Sequence, residues 1–395
     1  MANITGTAGN DTRNGTAAAD LILGLAGADV LNGLGGADTL RGGSGNDRLD
    51  GGAGTDTASW LDATTGGVSA SLVTNSATGA GGSDTLVSIE NLEGSNRNAT
   101  LTGNSGANTL WGRGGADTLD GGNGHDVLAG GAGNDRVDGG AGTDTATWFD
   151  ATGAVNASLA ANTASGGGGS DALLNIENLA GSSWNDTLTG NGGANVLRGG
   201  AGTDTLDGGA GNDSLVGEAG NDGLLGGAGN DFLQGGVGTD TASWLDVTGG
   251  GITASLVTNS ATGAGGSDTL VSIENVEGSH QNDSLLGNTA ANTLWGSGGD
   301  DSLDGGAGDD LIYGGNGSDS LEGGAGQDSL RGWLGDDTLF GGNGNDVVEG
   351  DDGDDALDGG EGNDIIKGGN GNDHAYVSSG GDDTYFGGAG DDYFD

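Results

Sequence analysis

Cysteine and proline are both absent from the 395 residues, and positive charge is scarce: 9 Lys and Arg stand against 58 Asp and Glu. Without cysteine there is no disulfide framework, so stability outside a cell needs another kind of cross-link. The formal net charge of -49 argues against nucleic acid, which is bound through clusters of Lys and Arg, and against anionic lipid surfaces. No apolar run approaches the roughly 18 residues of a membrane span. Met1 to Gly15 has neither a basic start nor an apolar stretch, so no classical signal peptide is expected. Hydrophobic residues make up only 32% of the chain, and with such a charge this composition ordinarily means disorder. That outcome is avoided only if a bound cation neutralises the charge and orders the backbone.

What is present is glycine, 96 residues of it, in a strict pattern. Length alone suggests two or three globular domains, but internal repeats override that estimate. The unit is Gly-Gly-x-Gly-x-Asp-x-Leu-x, as in Gly42-Gly43-Ser44-Gly45-Asn46-Asp47-Arg48-Leu49-Asp50. Sixteen copies of GGxGxD occur, with eight of the looser GxxGxD. Their aspartates are Asp11, Asp29, Asp38, Asp47 and Asp56, then Asp117, Asp126, Asp135 and Asp144. Asp204, Asp213, Asp222, Asp231 and Asp240 follow. A fourth run at intervals of nine comprises Asp301, Asp310, Asp319, Asp328, Asp337, Asp346, Asp355, Asp364 and Asp373, with Asp392 beyond it.

Each position has a physical reason. Glycine tolerates positive φ and tight folding, so the turn can aim its carbonyls inward while Asp adds a carboxylate. These are hard oxygen donors, suited to Ca²⁺ with six to eight oxygens at about 2.3–2.6 Å, and nothing soft is offered to Zn or Cu. Three strand residues follow, with the eighth position facing inward (Leu49, Leu119, Leu206, Leu303). If two nonapeptides make one coil, turns on one edge lie 18 residues apart. An ion then sits between Asp29 and Asp47, or between Asp301 and Asp319. The metal set is the whole run of aspartates named above, with calcium ions on the order of twenty.

These residues resemble the repeats-in-toxin, or haemolysin-type, calcium-binding repeats. The resemblance implies an all-β fold, a right-handed parallel β-roll that folds on binding Ca²⁺. It also implies export by a type I secretion machinery, making the protein secreted, extracellular or cell-surface. The beat breaks three times, at Thr57-Ala58-Ser59-Trp60, Thr145-Ala146-Thr147-Trp148 and Thr241-Ala242-Ser243-Trp244, and each break ends in Ile-Glu-Asn. Stretches such as Val68-Ser69-Ala70-Ser71-Leu72 alternate with period two and read as strand. The breaks are similar to segments that join rolls in serralysin-type proteases. Calcium blocks are therefore expected at 1–56, 103–144, 181–240 and 278–395, with β-rich spacers at 57–102, 145–180 and 241–277. Asn108, Asn195 and Asn292 replace Asp just after each spacer, Ala99 stands where Asp186 and Asp283 stand, and Asp20 lacks most of its glycines. Weak or absent calcium is expected at these positions.

No catalytic residues are expected. His125, His280 and His374 have no metal or catalytic spacing, no GxSxG elbow exists, and pairs such as Asp300-Asp301 fall inside the calcium turn. Repeats begin at Gly6–Asp11 and end at Gly387–Asp392, leaving no room for an enzyme domain. The aromatic group Tyr376, Tyr385, Phe386, Tyr393 and Phe394 reads as a hydrophobic plug, part of an export signal, or a subunit contact. The leading expectation is a structural protein, a homopolymer stacking head to tail into an extracellular filament or surface layer. The alternative is an adhesin or matrix-binding module, which requires Trp60, Trp148 and Trp244 to be exposed; the bland reading of these residues is core.

Overall fold

Each repeat places its last three residues in a strand, which in many repeats runs on into the next turn, and the middle one of the three points into the core. In Arg48–Asp50 the flanking residues lie at the surface while Leu49 is sealed in the interior. The computed structural model describes residues 2–79, 81–376 and 380–395, and contains no helix among them. The chain forms two units, Met1–Gly190 and Asn191–Asp395, and each is a parallel β-solenoid.

In the first unit, successive strands alternate between two sheets. Asp20–Leu23 pairs with Thr39–Arg41 through Leu21↔Thr39 and Ile22↔Leu40. Val30–Asn32 pairs with Arg48–Asp50 through Leu31↔Leu49 on the other sheet. The offset is 18 residues in both, so one coil is two nonapeptides. The second unit repeats the register, as in Leu303↔Leu321 and Ile312↔Leu330. The core is therefore a double column of single aliphatic residues. Burying one Leu yields about 1.5–3 kcal/mol. Ordering the backbone costs about 1–2 kcal/mol for every residue of the nine. The columns alone cannot hold the coils, and the turns must contribute.

The turns are built for close stacking. Gly43 (φ +90°) and Gly45 (φ +137°) lie in the left-handed half of backbone space. A Cβ on either would collide with the carbonyl of Leu25 or of Gly27 in the neighbouring coil.

The spacers continue the ladder but change its direction. In the first, Val68–Ser71 and Ser76–Gly79 run antiparallel, as do Ser76–Gly79 and Gly82–Val87. Gly82–Val87 then stacks in parallel on Arg48–Asp50, and Val68–Ser71 on Thr100–Thr102. On the opposite sheet Thr57–Ser59 passes directly to Asn91–Ser95. The second spacer has the same meander in the first unit, and the third has it in the second unit. Alternation in sequence marks these strands; their antiparallel order goes beyond that reading. Trp60, Trp148 and Trp244 are all buried, at 5% exposure or less. The exposed-tryptophan condition for partner binding through the spacers is thus not met. Of the last aromatics, Tyr385 and Phe394 continue the register of the core residues Ile366 and Ala375, rings 5.5 Å apart, but Phe394, like Tyr376, Phe386 and Tyr393, is exposed.

Candidate metal centre

The turn aspartate directly precedes each strand, and its two carboxylate oxygens have separate fates. Oδ1 accepts the backbone N–H of the aspartate one coil earlier: Asp29 N donates to Asp47 at 2.8 Å, Asp117 N to Asp135 at 2.7 Å, and Asp319 N to Asp337 at 2.7 Å. Oδ2 points into the turn. It is buried without a hydrogen-bond partner in Asp29, Asp38, Asp47, Asp56, Asp117, Asp126, Asp135 and Asp144. The same holds in the second unit for Asp213, Asp222, Asp231, Asp240, Asp301, Asp310, Asp319, Asp328, Asp337, Asp346, Asp355, Asp364 and Asp373. Asp204 is buried in the same register, its N–H donating to Asp222 at 2.8 Å.

Backbone carbonyls converge on the same place. A Cβ at Gly208 would lie 2.6 Å from Asp213 Oδ2 and 2.7 Å from the Gly226 carbonyl oxygen of the next coil. The first glycine of the turn therefore keeps open a cradle shared by a carboxylate and a carbonyl. Removal from water pushes these carboxyls above their usual range: Asp301 to about 8, Asp117 and Asp337 to about 7, and Asp47, Asp310 and Asp355 to about 6. Neighbouring aspartates add to the effect at each of them. A buried, unpaired anion is costly, and a divalent cation offsets that cost. Among the described residues no three His, Cys, Asp or Glu side chains form a metal cluster. The donor set is instead carboxylate pairs with carbonyls, all oxygen, which fits Ca²⁺.

Several turns satisfy themselves. Asp11 Oδ2 accepts from Thr7 N and Thr7 Oγ1 at 2.5 and 2.8 Å, so this aspartate, counted in the metal set, differs from the others. Asp20 is held likewise by Thr16 and Asp186 by Ser182, while at Asp283 the Ser279 N–H reaches Oδ2 and its hydroxyl Oδ1. Asn108, Asn195 and Asn292 accept from Asn104, Asn191 and Asn288. Of these, Asp20, Asn108, Asn195 and Asn292 are positions where weak or absent calcium is expected from the sequence. Asp392 accepts from Asp373 N at 3.2 Å and is only partly buried.

The spacers contain carboxylates that the repeat pattern does not reveal. Asp84, Asp171 and Asp268 take the next place in the ladder, accepting the N–H of Asp47, Asp135 and Asp231 at 3.0 Å. Their Oδ2 atoms accept the indole N–H of Trp60, Trp148 and Trp244 at 3.0, 3.2 and 3.0 Å. An indole donor thus stands where the blocks leave an oxygen bare. Asp383 accepts from Asp364 N at 3.0 Å after a coil one residue longer, which hid it from a nine-residue count. Each spacer aspartate follows Gly-Gly-Ser, which lacks the spacing of the full GGxGxD motif.

A parallel β-solenoid that gathers buried oxygens between stacked turns is a cation-binding repeat protein. Residues 5–40, 23–58, 93–128, 117–146, 180–215, 207–242, 278–312, 313–348, 349–380 and 377–394 match the RTX calcium-binding nonapeptide repeat. These matches span well over half of the chain, which belongs to that family. The repeats bind calcium and are typical of secreted proteins. The unmatched stretches 59–92, 147–179 and 243–277 fall in the spacers. No match was found among curated proteins.

Proposed function

We propose that this is an extracellular structural protein whose coils are cemented by Ca²⁺ and whose copies assemble head to tail into a filament or surface layer. The observation that carries the calcium role is the buried Oδ2 without a partner, repeated in most turns of the blocks and facing a carbonyl of the next coil. Assembly is supported by self-complementarity: each coil already stacks on a near copy of itself in register. A non-closing contact of this kind generates fibres. Export through a type I machinery belongs to the same reading, since a chain of net charge -49 stays open until it meets calcium. Electron microscopy of the protein with and without Ca²⁺ tests it. Filaments or sheets in calcium are expected; isolated particles at every concentration contradict assembly.

One observation favours a binding role in addition. In the second unit Trp295 and Tyr313 are stacked 6.1 Å apart at 11°, and with Trp333 they line an open cavity of about 240 Å³. Ser297 and Asn316 add polar groups there. Flat rings with neutral polar neighbours suit a neutral saccharide better than an anion. Titration with cellohexaose should quench tryptophan emission in the native chain and not in Trp295→Ala; no response in the native chain contradicts this role.

A further inference from the structure

The spacers interrupt the nonapeptide pattern, yet one edge of the ion ladder runs into them. In an ordinary block, Gly33 N donates to the Asp50 carbonyl and Asp38 N to Asp56 Oδ1, at 2.7 and 2.8 Å. The turn that runs between these two acceptor residues comprises six residues, Gly51 to Asp56. At the first spacer, Gly51 N donates to the Val87 carbonyl at 3.0 Å and Asp56 N to Glu90 Oε2 at 2.9 Å. Only Ser88, Ile89 and Glu90 separate that strand from the next, which resumes with Asn91↔Thr57. Three residues do the work of six. Ser88 enters the left-handed region (φ +49°), and its carbonyl lies against Gly51 as the Gly51 carbonyl lies against Gly33. The extra methylene of Glu over Asp lets the carboxylate reach the same acceptor position from the shorter turn.

The arrangement occurs three times. Asp144 N donates to Glu177 Oε2 at 2.8 Å, and Asp240 N to Glu274 Oε2 at 2.9 Å. Asn175 (φ +49°) and Ser272 (φ +50°) place their carbonyls against Gly139 and Gly235. In each copy the facing aspartate, Asp56, Asp144 or Asp240, is fully buried and its Oδ2 has no partner. Beyond Glu90 the next gap is closed: Asn108 Nδ2 donates to the Glu90 carbonyl at 2.7 Å, and Asn292 does the same to Glu274. The bare oxygen lies on one side of the glutamate and an amide on the other.

We propose that Glu90, Glu177 and Glu274 are calcium ligands, pairing with Asp56, Asp144 and Asp240 to form three cation sites that the nonapeptide pattern does not contain. This rests on the reading that calcium sits between stacked turns. The test counts calcium bound to the full chain by equilibrium dialysis. Glu90→Gln, Glu177→Gln and Glu274→Gln keep the acceptor oxygen for the N–H and remove the charge. Each single variant should bind one ion fewer, and the triple variant three fewer. Asp319→Asn, in an ordinary block, serves as comparator. Loss in Asp319→Asn with no loss in the glutamate variants overturns this inference alone; no loss in any variant overturns the turn reading with it. If circular dichroism shows that the triple variant does not fold, the single variants, each with two intact spacers, provide the count.

Discussion

At the scale of the residue, one question separates the turns: what meets the second carboxylate oxygen. In most blocks no protein group does. In Asp11, Asp20 and Asp186 a hydroxyl four residues earlier does, in Asp283 the backbone N–H of Ser279 does, and in Asp84, Asp171 and Asp268 an indole does. Trp60→Phe keeps an aromatic ring in the core, though a smaller one, and removes the donor. It should cost about 1–3 kcal/mol, the penalty for a stranded buried acceptor, read by denaturation in saturating calcium. Thr16→Gly should do the opposite of a loss: it removes the hydroxyl from Asp20 Oδ2 and should raise the calcium count by one. An unchanged count would mean that the hydroxyl is not what closes that turn. The aspartate ladder was readable because nine-residue spacing is local. The self-satisfied turns were also readable in principle, since Thr7, Thr16, Ser182 and Ser279 occupy the second turn position, where the full motif has glycine. The indole bonds were not, because Trp60 and Asp84 meet only through the folded meander.

At the scale of the element, blocks and spacers are held by different forces. A block strand buries one aliphatic residue and depends on the turns at its ends. A spacer buries Trp60, Val68, Ala70, Leu72, Ala77 and Ile89 together, and its Asp84 carries its own donor. Hydrogen exchange during stepwise calcium removal should therefore expose amides of block strands such as Arg48–Asp50 before those of Ser76–Gly79. Simultaneous loss would mean that the spacers have no stability of their own. The strand character of Val68–Leu72 was legible from its alternation. The reversal of Ser76–Gly79 was not, because pairing direction is set by contacts distant in sequence. Nor was the turn role of Glu90, because Ser88-Ile89-Glu90 shares neither length nor glycines with the motif it replaces.

At the scale of the whole molecule, charge decides the outcome. A buried, uncompensated carboxylate costs several kcal/mol even after relaxation, while a domain's entire stability is about 5–15 kcal/mol. A few bare turns would exhaust that margin, and this chain has many. Protons offer a partial substitute for calcium. The folded-state values, raised to about 6–8 at Asp47, Asp117 and Asp301, lie above the unfolded value of about 3.9. The neutral form is thus favoured by folding. Its contribution is complete below the unfolded value and is lost as pH rises through 6 to 8. In chelator, circular dichroism should show more β-structure at pH 4 than at pH 7.5; the reverse order would contradict the burial of these groups. The most direct test of the central claim is calcium titration at neutral pH, followed by far-ultraviolet circular dichroism and reversed with EGTA. The expected result is a disordered chain that gains β-structure as calcium is added and loses it in EGTA; a β-spectrum unchanged by EGTA would contradict the account.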